Sequence, residues 1–142
     1  MEVSALLRLV FPYLEAGLVI RAPSHRVWEV LVDTWRWAEW GPSVRAVECS
    51  DQFLSPLSSG RIKTVLGFRV PFAVTHFKPG TAWSWRVFGI PATTHAVESL
   101  GEDRCRLWFG VPLPAFPYLL TCVIAMRRIA RLIEPSQGPE LV

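Results

Sequence analysis

The stretch Ile20-Arg21-Ala22-Pro23-Ser24-His25-Arg26-Val27-Trp28-Glu29-Val30-Leu31-Val32-Asp33, followed by Trp37-Ala38-Glu39-Trp40-Gly41-Pro42, decides how this chain is read. The run from Tyr13 to Ala22 entering it has the composition of a strand, and Pro23 ends that strand. Ser24 then offers an N-cap, and Val27, Val30 and Leu31 follow the i, i+3, i+4 spacing of a short amphipathic helix closing near Asp33. Asp33 and Thr34 are capping residues for a second, shorter helix through Trp40, which Gly41-Pro42 stops. A strand that runs straight into two short helices is the seed from which the remaining elements are placed.

Downstream, short β-rich runs recur at the spacing of about 8 to 12 residues expected of an antiparallel meander. They are Val44 to Cys49, Arg61 to Phe68, Val70 to Phe77, Ala82 to Phe88, Thr93 to Leu100 and Arg104 to Val111, with turn signals between them. Alternation assigns faces. Cys105, Leu107, Phe109 and Val111 point inward, against Arg104, Arg106 and Trp108. Ile62, Thr64 and Leu66 oppose Arg61 and Lys63. Trp83, Trp85 and Val87 share one side, His95 goes with Thr93 and Val97, and His76 goes with Phe72 and Val74.

The chain closes on a helix from about Phe116 to Glu134, stopped by Pro135. Leu119, Cys122, Val123, Met126, Ile129, Ala130 and Ile133 fall on an arc of roughly 120°, with Arg127, Arg128 and Arg131 off it. This order predicts an α+β domain: a curved antiparallel sheet of about seven strands wrapped round a long C-terminal helix, with two short helices after the first strand. Residues 1–12 read as an N-terminal extension, 13–135 as one domain and 136–142 as a flexible tail. Leu107 to Met126 is 20 residues without a formal charge, about the length that spans a bilayer. Pro112, Pro114 and Pro117 interrupt its first half, which favours a strand end, a turn and a helix start.

With 142 residues the chain has room for one ordinary domain, and 51% hydrophobic against 19% charged residues excludes a disordered or solvating segment. Thirteen Arg and two Lys are spread among 12 carboxylates without a basic run, so phosphate neutralisation and nucleic-acid binding are not expected. Cys49, Cys105 and Cys122 make no metal spacing and read as reduced thiols of a cytoplasmic protein; the N-terminus lacks the pattern of a secretory signal. No metal site and no cofactor are expected, since no ligand cluster, phosphate loop or nucleophile elbow is present. Seven Trp imply an aromatic core or a cavity with aromatic walls.

The quoted stretch, with its Ala-Pro, Val-Trp, Asp and Trp-Gly-Pro elements, resembles the polyketide cyclase/dehydrase branch of the START-like (SRPBCC, helix-grip) superfamily. Val74-Thr75 before Pro79-Gly80, Trp83-Ser84-Trp85 and His95-Ala96-Val97-Glu98 fit the same layout, so the resemblance spans residues 13 to 134. It implies a cavity between sheet and long helix, used across the superfamily for lipids, sterols, quinones, polyketides and plant hormones. Pro23 would start a helix, and Trp28 and Trp40 would pack under the sheet. The resemblance identifies a fold and not a reaction.

On that scaffold Phe72, His76, Trp83, Trp85, His95, Phe109, Cys122 and Met126 are the candidate ligand-binding residues, an apolar lining with few polar groups. The expected partner is a small hydrophobic molecule: lipid-like, polyketide or aromatic. The alternative is a cyclase or dehydratase with His95 as general acid or base, because imidazole titrates near neutrality. The same position also suits a hydrogen-bonded wall histidine. Cys122 reads as a small core hydrophobe, Asp33 as a cap, and no carboxylates pair as acid and base. A third expectation is membrane contact through Phe116 to Met126, with Arg127, Arg128 and Arg131 toward anionic lipid. Oligomeric state is open.

Overall fold

The computed structural model describes residues 6–134; the stretch 136–142, expected as a tail, lies outside the described residues. Eight strands form one antiparallel sheet: β1 Leu6–Val10, β2 Tyr13–Ile20, β3 Val44–Cys49, β4 Ser59–Thr64, β5 Arg69–Lys78, β6 Ala82–Val87, β7 Ile90–Ser99 and β8 Cys105–Pro112. Their order across the sheet is β1-β2-β8-β7-β6-β5-β4-β3, so only the β2–β8 neighbours are brought together from distant sequence. Helices α1 (Ser24–Val32) and α2 (Trp37–Trp40) follow β2, and α3 (Leu119–Ile133) closes the chain. The protein is therefore the expected α+β helix-grip arrangement, with one strand more than the periodicity gave.

That extra strand is β1. Residues 6–10 were expected in an extension, yet they pair with β2 from Leu6 opposite Gly17 to Val10 opposite Tyr13. The strand is held from the convex side: the Arg8 guanidinium lies 3.5 Å from the Trp108 ring centroid and its Nε donates to Glu15 at 2.7 Å. Trp108 is consequently buried although it faces away from the core, and it rests on Gly17, where any Cβ would sit 2.6 Å from its ring.

α1 buries Val27, Val30, Leu31 and Val32, as its spacing requires. Its N-cap is Pro23 rather than Ser24, which is already helical; a proline with extended dihedrals starts the helix without a side-chain cap. Asp33 does cap, accepting from Trp35 N at 3.1 Å. α3 turns Leu119, Cys122, Ala125, Met126, Ile129, Ala130 and Ile133 inward, so Ala125 joins the expected stripe and Val123 sits at its half-buried margin. This face packs on β2 and β8, while α1 lies on β7 and β8. Leu113–Ile133 is apolar and long enough to cross a bilayer, but it is a 3-10 stretch, Leu113–Tyr118, with non-helical Ala115, followed by a helix committed to the core.

Two expected strands change length for local reasons. The run Arg61 to Phe68 begins earlier, at Ser59, and stops at Thr64, because Gly67 at φ 98° turns the chain; Leu66 is thereby exposed rather than inward. β7 starts at Ile90, since Phe88 and Gly89, with φ of 54° and 74°, close a two-residue hairpin.

Candidate functional site

Between the sheet, α2 and the first turns of α3 lies a cavity of about 170 Å³, open at one end. β6 and β7 supply its deep wall with Trp83 and His95, β8 adds Phe109, and α2 adds Trp37 and Trp40. Thr64, Val87, Thr93, Tyr118 and Thr121 stand nearer the opening. No Asp, Glu, Lys or Arg is among the lining residues.

The aromatic side chains form a continuous stack. Trp83 is sandwiched between Trp37, centroids 5.5 Å apart and 7° from parallel, and His95, at 3.9 Å and 23°. Trp85 meets this stack edge-on, 5.3 Å from Trp83, and Phe109 closes on His95 at 4.7 Å. Such edge and offset contacts fix ring orientation beyond what area burial alone gives, by about 1 kcal/mol each. The wall is thus preformed.

His95 is a buried titratable group of this wall, 3% exposed. Nδ1 lies 3.2 Å from the Trp83 carbonyl oxygen, which can only accept, so Nδ1 carries the proton. Nε2 therefore accepts from the Thr93 hydroxyl at 3.0 Å, and Thr93 Oγ1 in turn accepts from Trp85 Nε1–H at 2.8 Å. The chain from Trp85 through Thr93 and His95 to the Trp83 carbonyl uses both ring nitrogens. Burial pushes the imidazole down to about 3, although the Trp83 carbonyl opposes this. His95 is a neutral, hydrogen-bonded wall residue at physiological pH. A general acid or base works best with a pKa near its working pH, and burial moves His95 below that range.

Two other donors are left over. Trp40 Nε1 and Trp83 Nε1 are buried and have no hydrogen-bond partner, whereas Trp37 Nε1 donates to the Leu31 carbonyl at 2.9 Å. Buried donors without partners cost about 1–3 kcal/mol each, and since neither nitrogen is open to water, both belong to the packed wall and not to the cavity surface.

Of the sequence-derived candidates, Trp83, Trp85, His95, Phe109 and Cys122 line the cavity. Burial pushes the Cys122 thiol up to about 12, which leaves it unreactive. Phe72 and Met126 are buried in the core beside it rather than in its lining, Phe72 against Trp37 at 5.6 Å. His76 is exposed, because a bulge between Val74 and His76 puts one extra residue into β5 and reverses the faces; Phe77 turns in instead, 5.7 Å from Trp28. Trp37, Trp40 and Tyr118 were not on the sequence-derived set. The i, i+3 spacing of the two indoles on one short helix was the available signal for them.

No protein-family model and no curated protein matches this chain. Solved structures do match it in fold. A conserved protein of unknown function from Enterococcus faecalis superposes with a TM-score of 0.66 at 16% identity, over 98% of this chain and 82% of that one. A protein from Chromobacterium violaceum gives 0.63 at 19%, over 88% and 99%. A protein of the dynemicin biosynthetic locus gives 0.62 at 20%, over 86% of this chain and 47% of its own length. At these identities the likeness is one of fold.

Proposed function

We propose that this protein is a START-like binding domain whose cavity takes a small, neutral aromatic molecule, such as an aryl ketone. The aromatic, charge-free lining carries this reading. The absence of charged lining residues among those described disfavours an ionised ligand, whose desolvation nothing would offset. Size narrows the class further. A cavity of roughly 150 Å³ holds benzene, so about 170 Å³ suits a single substituted ring and leaves a polycyclic polyketide or a long acyl chain protruding from the mouth. Binding rather than turnover fits His95, which is spoken for on both nitrogens. Three free cysteines, two of them buried, suit a reducing compartment such as the cytoplasm.

The test is a titration of the purified protein with acetophenone, followed by quenching of tryptophan fluorescence. The indoles of the wall should give a saturable change that an excess of a second aryl ketone reverses. A linear, non-saturable response would overturn the reading.

A further inference from the structure

We infer that the end of the sheet carrying the cavity mouth docks on an anionic lipid bilayer, independently of which ligand the cavity takes. Strand register defines that end. It is where β1 stops, β2 begins, β8 stops, the β6–β7 hairpin turns, β4 gives way to β5 and β3 begins. Exposed apolar side chains gather there: Phe11, Leu66, Phe88, Ile90, Phe116 and Leu120, with Leu66 80% and Leu120 71% exposed. A clustered apolar surface on a folded domain marks an interaction site, whereas scattered single residues do not.

The charge of this end names the occupant. Segments 10–13, 41–45, 63–70, 86–93 and 112–121 contain no Asp or Glu, and they carry Arg45, Lys63, Arg69 and Arg86. Arg45 and Arg86 are exposed and make no ion pair among the described residues. The opposite end, by contrast, presents Asp51, Glu102 and Asp103 in its connections. Arg69 pairs with Glu48 at 2.9 Å, which leaves apolar tips flanked by the unpaired Arg45 and Arg86, an arrangement that fits an anionic interface. A second copy of the same end would bring like charges together.

One backbone feature points the same way. Phe88 occupies the first central position of its hairpin at φ 54°, a conformation that suits Asn or Gly and penalises a bulky side chain. The turn itself gains nothing from phenylalanine, and its ring is 62% exposed. It is placed as an inserting tip. The docking geometry is end-on and not along α3: Leu119, Cys122, Ala125 and Met126 are buried, and Arg127 and Arg131 lie about 12 and 18 Å along the helix from Leu119.

Co-sedimentation with vesicles of phosphatidylcholine alone, and of phosphatidylcholine with phosphatidylglycerol, tests this. The protein should pellet with the anionic vesicles, weakly with the neutral ones, and less as salt is raised. The double variant Leu66→Ser/Phe88→Asn should lose about tenfold or more in partitioning. Asn is the residue the turn prefers, so the variant should remain folded by circular dichroism and keep its acetophenone titration, neither side chain being in the cavity lining. Absence of pelleting with either vesicle, equal pelleting of variant and parent, or a salt-insensitive dimer that the variant dissociates would each overturn the proposal.

Discussion

Acidification should destabilise this protein through one residue. His95 titrates at about 3 in the folded chain and near its ordinary 6.5 when unfolded. The unfolded state therefore takes up the proton first, so the stability His95 confers is fully present above pH 6.5 and is lost as pH falls from there toward 3. The slope is about 1.4 kcal/mol per pH unit, which between pH 7 and pH 5 integrates to ~2 kcal/mol. His95→Asn removes the titration and keeps an N–H donor for the Trp83 carbonyl. It gives up the stacked ring on Trp83 and is less stable at every pH. Urea unfolding of both proteins at pH 7 and pH 5 yields a difference of differences in which the other titrating groups cancel. The parent should lose ~2 kcal/mol more than the variant over that interval. Equal losses in the two proteins would refute the assignment of a neutral, buried His95.

Gly17→Ala should lower stability by about 1–3 kcal/mol in thermal unfolding, because its Cβ would meet the Trp108 ring at 2.6 Å and that ring is held by Arg8 and Glu98. Phe88→Asn alone should raise stability by about 1 kcal/mol through relief of the left-handed turn, measured by urea midpoint. Among the thiols, half-buried Cys49 should react first with a thiol reagent at pH 8, while Cys105 and Cys122, pushed up by burial to about 11 and about 12, should wait for unfolding.

What the sequence made legible follows periodicity. α1, α3 and the β7–β8 pair were placed with their faces, because one side of each is buried and the alternation or 3.6-residue stripe survives in composition. The cavity wall was half legible for the same reason: Trp83, His95 and Phe109 sit on regular stretches of strand, and Trp85 stays on the Trp83 side of β6 although the β6–β7 register shifts beside it. His76 was misplaced because a bulge adds one residue without changing composition, and every later side chain of β5 then swaps face. Leu66 was misplaced because the alternation of Ile62 and Thr64 was carried past Thr64, whereas the strand stops there and Gly67 turns the chain into the solvent at the cavity end. β1 was missed because all five of its residues are exposed, so no alternation exists to read; a cation on the Trp108 indole, two strands away in the sheet and a hundred residues on in sequence, secures it. Tyr118 reached the cavity only through the kinked turn before α3, which proline content announced as a break but not as a direction.

The central claim is that a charge-free aromatic cavity selects a neutral ring, and affinity for two similarly shaped molecules tests it most directly. Acetophenone and benzoate differ little in shape, and only the second is ionised at pH 7. Calorimetric titration should show the parent preferring acetophenone by about tenfold or more, because an unpaired charge is costly to bury. A parent protein that binds benzoate as tightly as acetophenone would contradict the account.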